Sequence, residues 1–327
     1  MIEESPAIAG RVIGFRQRQC PDYKPETANL PVRESSFVQL GRGRHAVDVQ
    51  LVTAGDVGLS RLGISAESVG INVLKPDYIG FVIPISWTGS FHINGDAVSQ
   101  SAIYMSGDLD SIYLRSKSRD TLGVTLPKAL FVQAVAALRG VDIDEISLTE
   151  RELRLSESTG LEIRAQLTSI INNVCGESAE LAQLKIGNAV KETLVNAYLQ
   201  AFPEPDLKAG RTNRPQSIVR LTEERFSEFD GQVPLSLSDL CQAAGVGKSS
   251  LYKAFHSICG EPPLSYFRKR RLMQARTLLL NARNEHGAVR QVAMDCGFTE
   301  LGRFSVQYRQ MFGESPSVTL NRAGNCR

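Results

Sequence analysis

The chain has 327 residues, of which 42% are hydrophobic and 22% are charged, and its formal net charge is +2. This is an ordinary globular composition, and the length favours two domains that each bury a core. No run of about 18 or more apolar residues occurs, so the sequence predicts no transmembrane helix. Residues 1–6 lack the basic and apolar stretches of a secretory signal, and we therefore expect a cytoplasmic protein without a membrane partner.

The charge is unevenly distributed along the chain. Residues 215–327 hold 15 Lys and Arg against 10 Asp and Glu, whereas the rest of the chain holds 22 against 25. A basic C-terminal part beside a mildly acidic N-terminal part suggests that only the C-terminal part contacts a polyanion.

Residues 37–125 have the pattern of short β-strands separated by turns. Apolar residues alternate in Val47–Val52, and Tyr78–Ile85 is β-branched, aromatic and apolar. Phe91–Ile93 then runs into Asn94-Gly95, a dipeptide that is a strong hairpin signal. Turns at intervals of about 8–12 residues favour a barrel or a sandwich. We assign residues 1–126 to a β-rich sensor or effector-binding domain.

The pattern changes to a helical one after Pro127. Predicted helices, in which apolar residues return every three or four positions, cover residues 128–139, 148–173 and 179–201. The last of them carries a stripe made of Ile186, Val190, Leu194, Ala197 and Tyr198. Such a stripe packs against its own domain or forms a dimer interface. We assign residues 127–205 to this helical segment and the polar residues 206–215 to an interdomain linker.

A first helix-turn-helix unit is indicated over residues 236–256. A short helix capped by Ser236 or Ser238 carries Leu240 toward a core, and Gly245 allows the sharp turn that the motif requires. In the second helix the apolar residues Leu251 and Phe255 face inward. The side chains that face outward are then Lys248, Ser249, Tyr252 and Lys253. Small, hydroxyl-bearing and cationic side chains suit a helix in the major groove of DNA.

The same pattern recurs over residues 288–311. A short helix ends at Gly297 with Phe298 as an apolar plug, and Thr299 or Glu300 can cap the next helix. The residues of that helix that face inward are Phe304, Tyr308 and Phe312. Between the two units, Pro263–Leu280 forms a long helix that carries the basic run Arg268–Arg271.

Three groups of residues share their order and spacing with a known family. The first unit supplies Leu240, Ala244-Gly245, Leu251, Phe255 and Gly260, and the linker helix supplies Tyr266, Arg270–Leu272, Ala275 and Leu278-Leu279. The second unit supplies Val292-Ala293, Gly297-Phe298, Phe304, Tyr308-Arg309, Phe312-Gly313 and Ser315-Pro316. With these residues, positions 216–322 resemble the DNA-binding domain of the AraC/XylS family of bacterial transcription regulators. The resemblance implies two recognition helices, about 248–256 and 301–311, that enter successive major grooves.

The resemblance assigns DNA contacts position by position. The residues expected to face bases are Ser249, Tyr252, Lys253, Gly302, Ser305 and Val306. Those expected to contact phosphates are Lys248, Ser250, Arg303 and Arg309, and such contacts set register and affinity rather than sequence preference. Val306 stands where the family is often polar or cationic. It either contacts a thymine methyl group or marks a second unit with fewer base contacts.

For the N-terminal part, the resemblance implies a cupin-like barrel with following helices that bind an effector, dimerise or do both. The expected fold is then α+β, with a C-terminal all-α domain of two helix-turn-helix units joined by a linker helix. A barrel with an apolar interior suits a small-molecule pocket. Its candidate residues are Phe81, Ile83, Trp87, Phe91 and His92.

The sequence predicts no catalytic, cofactor or metal site. A metal-dependent cupin needs clustered His and carboxylate ligands, and the N-terminal part has only His45 and His92. The chain contains neither a P-loop nor a nucleophile elbow. A repair enzyme with a metal-bound cysteine would need clustered cysteines there, but only Cys20 and Cys175 lie in that part, far apart.

A transcription regulator that responds to an unidentified small molecule is the leading interpretation. Its expected partners are double-stranded DNA, a second copy of the chain and, if it activates transcription as is common in the family, RNA polymerase. Effector binding in the barrel would bias the arrangement of two DNA-binding domains. The alternative is an effector-independent or architectural protein that binds DNA without sequence preference.

Overall fold

The strands occupy the N-terminal part of the chain. The computed structural model describes residues 13–20, 31–43, 46–107, 111–146, 148, 151–173, 180–203, 214–228, 236–283 and 285–324. Its strands are β1 (Ile13–Cys20), β2 (Val32–Gln39), β3 (Val47–Ala54), β4 (Val57–Ile64), β5 (Ser68–Leu74), β6 (Tyr78–Ile93), β7 (Asp96–Ala97), β8 (Ala102–Met105), β9 (Ser111–Pro127) and β10 (Glu152–Arg154).

The helices follow the strands, apart from β10. They are α1 (Lys128–Arg139), α2 (Glu157–Asn173), α3 (Glu180–Ala201), α4 (Arg214–Ser227), α5 (Leu237–Ala244), α6 (Lys248–Cys259), α7 (Pro263–Asn281), α8 (Ala288–Asp295), α9 (Leu301–Phe312) and α10 (Pro316–Gly324). A short 3-10 helix lies at Ile143–Glu145. None of the described helices is long and apolar enough to cross a membrane.

The long strand β9 is the centre of an antiparallel sheet that joins the ten described strands. β6 pairs with β9 from Tyr78 opposite Pro127 to Ile93 opposite Leu114. On the other side of β9, β5 pairs with its first half and β4 with its second half. The sheet therefore branches at β9, with β4, β3 and β1 in one arm and β5 and β2 in the other. The inward faces of both arms line one apolar cavity.

Helices α1 to α3 cover one face of the sheet. The ring of Phe131 in α1 lies 5.3 Å from that of Phe81 in β6 and 5.5 Å from that of Tyr198 in α3, measured between centroids. The predicted stripe of α3 belongs to this core, because Val190, Leu194, Ala197 and Tyr198 are buried and Ile186 packs against them. The stripe therefore packs against its own chain, which was the first of the two interpretations.

The helix-turn-helix units have different cores. Leu272 and Ala275 of α7 pack with Phe304, Tyr308 and Phe312 of α9, so the second unit closes a core of its own. The core of the first unit instead includes residues of the sheet. Its members include Val38, Val69, Ile71 and Tyr113 from the strands and Leu240, Leu251, Phe255, Tyr266 and Phe267 from the helices.

The expected α+β fold, with a β-rich first part and a helix-turn-helix end, is confirmed. The Asn94-Gly95 hairpin is also confirmed, since both residues have the positive φ angles (54° and 92°) that its turn requires. The helix predicted over 148–173 is wrong at its start. Glu152–Arg154 instead pairs with β8 and α2 begins only at Glu157. The predicted linker lies outside the described residues over 206–213, and α4 begins at Arg214.

Candidate functional site

The turn of the first unit is built by one cap and one glycine. Ser236 caps α5, because its hydroxyl accepts from the backbone N–H of Asp239 while the Asp239 carboxylate accepts from the backbone N–H of Ser236. The hydrogen bond from the Ser236 backbone N–H, followed by a second one that the Ser236 hydroxyl donates to the same carboxylate (2.8 Å), lowers the pKa of Asp239. Gly245 ends α5 with φ of 60°, a left-handed conformation that glycine adopts readily. The chain can therefore turn into α6 within three residues.

Helix α6 has one buried face and one exposed face. Leu251, Ala254, Phe255, Ile258 and Cys259 are buried, and Phe255 packs edge-to-face on Tyr266 at 5.6 Å. The opposite face is exposed and consists of Lys248, Ser249, Ser250, Tyr252, Lys253 and His256. The five residues predicted to contact DNA in this unit therefore lie on one accessible surface. The structure adds His256, which follows Ser249, Tyr252 and Lys253 at helical spacing and which the sequence analysis missed.

Helix α9 repeats this arrangement. Phe304, Tyr308, Met311 and Phe312 are buried, and Tyr308 packs on Phe312 at 4.6 Å. Gly302, Arg303, Val306 and Arg309 are exposed, and Ser305 is half-buried. The Val306 side chain is 57% exposed, so it is accessible on this face of the helix. Arg303 forms an ion pair with Glu300 (3.0 Å) on the surface.

The basic run of α7 is mostly engaged within the protein. Lys269 forms an ion pair with Glu261 (2.6 Å) and donates to the Leu40 carbonyl in the N-terminal part (2.7 Å). Arg270 forms an ion pair with Glu223 (2.8 Å), and Arg271 lies over the Phe298 ring at 5.6 Å. Arg268 is exposed, so it is the member of this run that is best placed to contact a phosphate.

A buried polar cluster joins the two parts of the chain. Glu223 of α4 accepts from the Tyr266 hydroxyl and pairs with Arg270, which also lies 3.5 Å from Glu34 of β2. Burial raises the pKa of Glu223, against the opposing effect of Arg270. Tyr113 of β9 is buried next to the cluster. These contacts connect α4, α7 and β2 directly.

The sheet encloses an apolar cavity of about 140 Å³. Its walls are mostly aliphatic, with Val49, Leu51, Leu74, Phe81, Leu122 and Val124 among them. Polar residues in the lining include Ser36, Asn72, Arg61 and Arg119. Arg61 forms an ion pair with Asp120 (2.7 Å). A wider cleft of about 930 Å³ adjoins the cavity, and Val49, Arg61, Ile64 and Arg119 line both.

The five candidate pocket residues do not lie together. Phe81 lines the cavity, whereas Ile83 is buried in the core below α1. Trp87 lines the wider cleft and packs against Phe91 at 5.8 Å, in a separate small core. His92 is half-buried, and burial together with Arg115 lowers its pKa. Arg61 and Arg119 were missed, because charged residues in a β-strand usually face solvent.

Comparison with known proteins gives matches in both parts. A family model described as "Helix-turn-helix domain" matches residues 240–322. The chain is 38% identical over 97 residues to "XylDLEGF operon transcriptional activator 2" of Pseudomonas putida, which is 30% of this chain and 62% of that protein. It is 27% identical over 203 residues to "Probable thc operon regulatory protein" of Rhodococcus erythropolis, which is 61% of this chain and 60% of the relative.

One solved structure, a probable AraC family transcriptional regulator from Rhodopseudomonas palustris CGA009, is 36% identical with a TM-score of 0.29. That match covers 32% of this chain and 96% of the other. The chain spans less than two thirds of the length of the two curated relatives, 62% and 60%. The family match nevertheless includes most of the first unit, the linker helix and the second unit. Residues 240–322 therefore match a helix-turn-helix domain, and the relatives named above are regulators of operons.

Proposed function

We propose that this chain is a sequence-specific DNA-binding transcription regulator in which α6 and α9 read two successive major grooves. One observation carries the proposal: the exposed faces of the two helices correspond at a constant offset of 53 residues. Ser249 and Gly302, Tyr252 and Ser305, Lys253 and Val306, and His256 and Arg309 are the corresponding pairs. Each face lies opposite a buried aromatic face that fixes the rotation of its helix.

The exposed side chains suit different kinds of DNA contact. Ser249, Tyr252 and Lys253 can donate to or accept from base edges, and Gly302 lets the helix backbone approach the DNA closely. The high exposure of Val306 supports a contact with a thymine methyl group. Lys248, Ser250, Arg303 and Arg309 flank these positions and suit phosphate contacts. His256 joins the α6 set, at the place that corresponds to Arg309.

We infer that the N-terminal part binds an effector, and that this binding shifts the positions of both helix-turn-helix units. Strand β5 is the wall that the two parts share. Gly70, Asn72 and Leu74 face the cavity, whereas Val69, Ile71 and Val73 alternate with them and pack in the core of the first unit. A ligand that shifts β5 therefore acts on α4, α6 and α7 through direct packing.

The second unit is also in contact with the N-terminal part. The carbonyl of Met311, in the last turn of α9, accepts from the backbone N–H of Gly43 (2.9 Å) and from the Gln39 side chain (3.3 Å). Since the first unit is held by β5 and the second by residues at the end of β2, the N-terminal part sets the arrangement of the two recognition helices. An effector with different affinities for two such arrangements would change DNA affinity.

We extend the proposal by analogy to the direction of regulation and to the oligomeric state. A relative in Pseudomonas putida is named as an operon transcriptional activator, which supports activation rather than repression for this chain. Activation would require RNA polymerase as a partner. We also propose that the chain acts as a homodimer, through a surface other than the apolar stripe of α3, which the sheet already covers.

The experiment is in vitro selection of random duplex DNA by the full chain at fixed physiological salt. We expect a motif with two short blocks about ten base pairs apart, one for each recognition helix. Lys253→Ala should blur one block only, at a cost of about 1–3 kcal/mol. Lys75→Ala, which changes an exposed lysine in the turn before β6, is the matched control and should leave both blocks intact. Salt-sensitive binding without any enriched motif would contradict the proposal and favour an architectural protein.

A further inference from the structure

Arg119 is a buried cation for which the described residues provide no anion. Two arginines of the described chain are buried, Arg119 at 3% exposure and Arg276 at 5%. Arg276 pairs with Glu314 (3.0 Å), and the nearly buried Arg270 pairs with Glu223. No carboxylate among the described residues lies within ion-pairing distance of Arg119. Since an uncompensated buried charge costs several kcal/mol, this arrangement requires an explanation.

The guanidinium of Arg119 is held in place but only partly satisfied. Its Nη1 donates to the hydroxyls of Ser68 (2.9 Å) and Ser116 (3.0 Å). Its Nε is buried and has no acceptor among the described residues. A Cβ atom on Gly70 would lie 2.7 Å from Nη2, so a larger residue there would force the guanidinium to shift. Burial lowers the pKa of Arg119 to about 9, which still leaves it charged at neutral pH.

Arg119 also lies where a ligand would enter. It lines both the inner cavity and the wider cleft, so it marks the place where the two adjoin. The cavity behind it is aliphatic and, at about 140 Å³, is close to the size of engineered apolar cavities of about 150 Å³ that bind benzene. The other cation of this lining, Arg61, is already neutralised by Asp120. One available positive charge at the mouth of an apolar cavity matches a ligand with one negative charge and an apolar body.

We propose that Arg119 is the anion-binding residue of this cavity, and that the effector is a monocarboxylate with an apolar body about the size of one six-membered ring. The inference deepens the effector role proposed above and rests on it. A carboxylate matches the two parallel N–H donors of a guanidinium, and Nε and Nη2 form such an edge in Arg119. A phosphate dianion would bring more charge than the single uncommitted cation can compensate.

The position of Arg119 connects the ligand to the DNA-binding part. Ser68, which orients the guanidinium, and Gly70, which leaves it space, are both on β5. Val69 and Ile71 lie between and after them on the same strand and pack in the core of the first unit. A carboxylate that moves the guanidinium therefore acts on β5, the strand that packs in one core with α6.

The test is thermal unfolding of the full chain with three probes: acetate for the carboxylate alone, cyclohexanecarboxylate for both features, and cyclohexanecarboxamide for the ring alone. We expect cyclohexanecarboxylate to raise the Tm saturably, acetate to bind more weakly, and the neutral amide to have little effect. Arg119→Met should weaken cyclohexanecarboxylate binding about ten- to a hundredfold, because it removes charged hydrogen bonds. Arg119→Lys keeps the charge but loses the paired donors, so we expect intermediate affinity.

The unliganded proteins provide a second readout. If Arg119 serves a ligand, Arg119→Met should be at least as stable as the parent chain, because it removes an uncompensated charge. A purely structural arginine would make that variant less stable, and such a result would overturn the proposal. Gly70→Ala is a second variant that keeps the charge, because its Cβ atom would force the guanidinium to shift, and it should also weaken the carboxylate effect.

Several results would contradict the carboxylate site. These are equal Tm shifts in the parent chain and in Arg119→Met, an amide as effective as the acid, or no shift with cyclohexanecarboxylate. DNA selection on the same preparations separates the two proposals. An enriched two-block motif without any carboxylate effect removes the effector assignment alone, whereas loss of sequence preference removes the proposed function itself.

Discussion

Glu314 lies in the turn between α9 and α10 and connects the second unit to the linker helix. Its side chain, 4% exposed, pairs with Arg276 of α7 (3.0 Å) and with Arg322 of α10 (3.3 Å). It also accepts from the Thr319 hydroxyl (2.8 Å), which itself accepts from Tyr308 (2.9 Å). Breaking one member of such a buried pair leaves the other charge without compensation.

This network should make stability depend on pH in the acidic range. Burial alone would raise the pKa of Glu314, but the Thr319 hydroxyl and the two arginines lower it overall. Its stabilisation is therefore complete above the unfolded carboxyl pKa of about 4.3 and is lost as pH falls through the lower folded value. We expect Glu314→Gln to cost about 3 kcal/mol at pH 7, measured by urea unfolding, and the difference to shrink below about pH 4.

A matched control is Glu228→Gln, which removes one partner of the exposed pair with Arg225 (3.4 Å). That change should alter the unfolding free energy by less than about 1 kcal/mol. Equal costs for the two substitutions, or a Glu314→Gln deficit that does not vary with pH, would contradict the role assigned to the buried network.

Residue roles were predictable from the sequence where they depend on helical periodicity. The outward positions of Ser249, Tyr252 and Lys253 follow from the inward positions of Leu251 and Phe255, and the structure confirms that exposure. Arg119 was not predictable. Its guanidinium is buried next to Ser68 and Gly70 of β5, a distant strand, and nothing in the local pattern distinguishes it from a surface arginine.

At the scale of elements, two glycines of the helix-turn-helix units differ in their backbone conformation. Gly245 has φ of 60°, so any side chain there is strained although no atom lies near its Cβ position. Gly302 lies in the first turn of α9, also has free space around its Cβ position and has no positive φ. The fold therefore does not require glycine at this position.

The same substitution at these two sites should have effects of opposite sign. We expect Gly245→Ala to lower the unfolding free energy by about 1–2 kcal/mol, because it places alanine in the left-handed region. Gly302→Ala should raise it by up to about 1 kcal/mol, because alanine favours the helix. Urea unfolding measures both. DNA titration should then find Gly302→Ala weaker in binding despite its stability, and unchanged affinity would argue against a close approach of α9 to DNA.

Local patterns also explain which elements were predicted correctly. Asn94-Gly95 carries its turn chemistry within two residues, and the linker helix begins at Pro263 as predicted. The prediction missed strand β10, because Leu153 is buried against β8, about 50 residues earlier in the chain. A three-residue strand that depends on a distant partner leaves too short a pattern to distinguish it from the helix that follows.

For the whole molecule, the shared core implies that the first unit and the sheet are stable together. Ile71→Ala removes a side chain that packs from β5 against the helices, and such substitutions cost about 2–5 kcal/mol. We expect hydrogen exchange to accelerate in β5 and α6 together, with α9 less affected. Leu272→Ala, in the separate core of the second unit, is the matched control and should accelerate exchange in α9 while sparing β5. Exchange that changes in β5 alone would contradict the shared core.

In the whole molecule, the sheet is in contact with both helix-turn-helix units. The sheet holds α6 through β5 and holds the end of α9 through Gln39 and Gly43, while α7 joins the units. If this arrangement is rigid on DNA, the two recognition helices can reach base edges only at one spacing and on one face of the duplex.

Insertion of base pairs between the two selected blocks tests this most directly. Binding of the full chain to the selected duplex would be measured by fluorescence anisotropy, with no insertion, with five base pairs inserted and with each block alone. We expect the five-base-pair insertion, which moves the second block about half a turn around the duplex, to reduce affinity to that of a single block. Unchanged affinity after the insertion would mean that the two units bind independently, and would contradict a fixed pair of recognition helices.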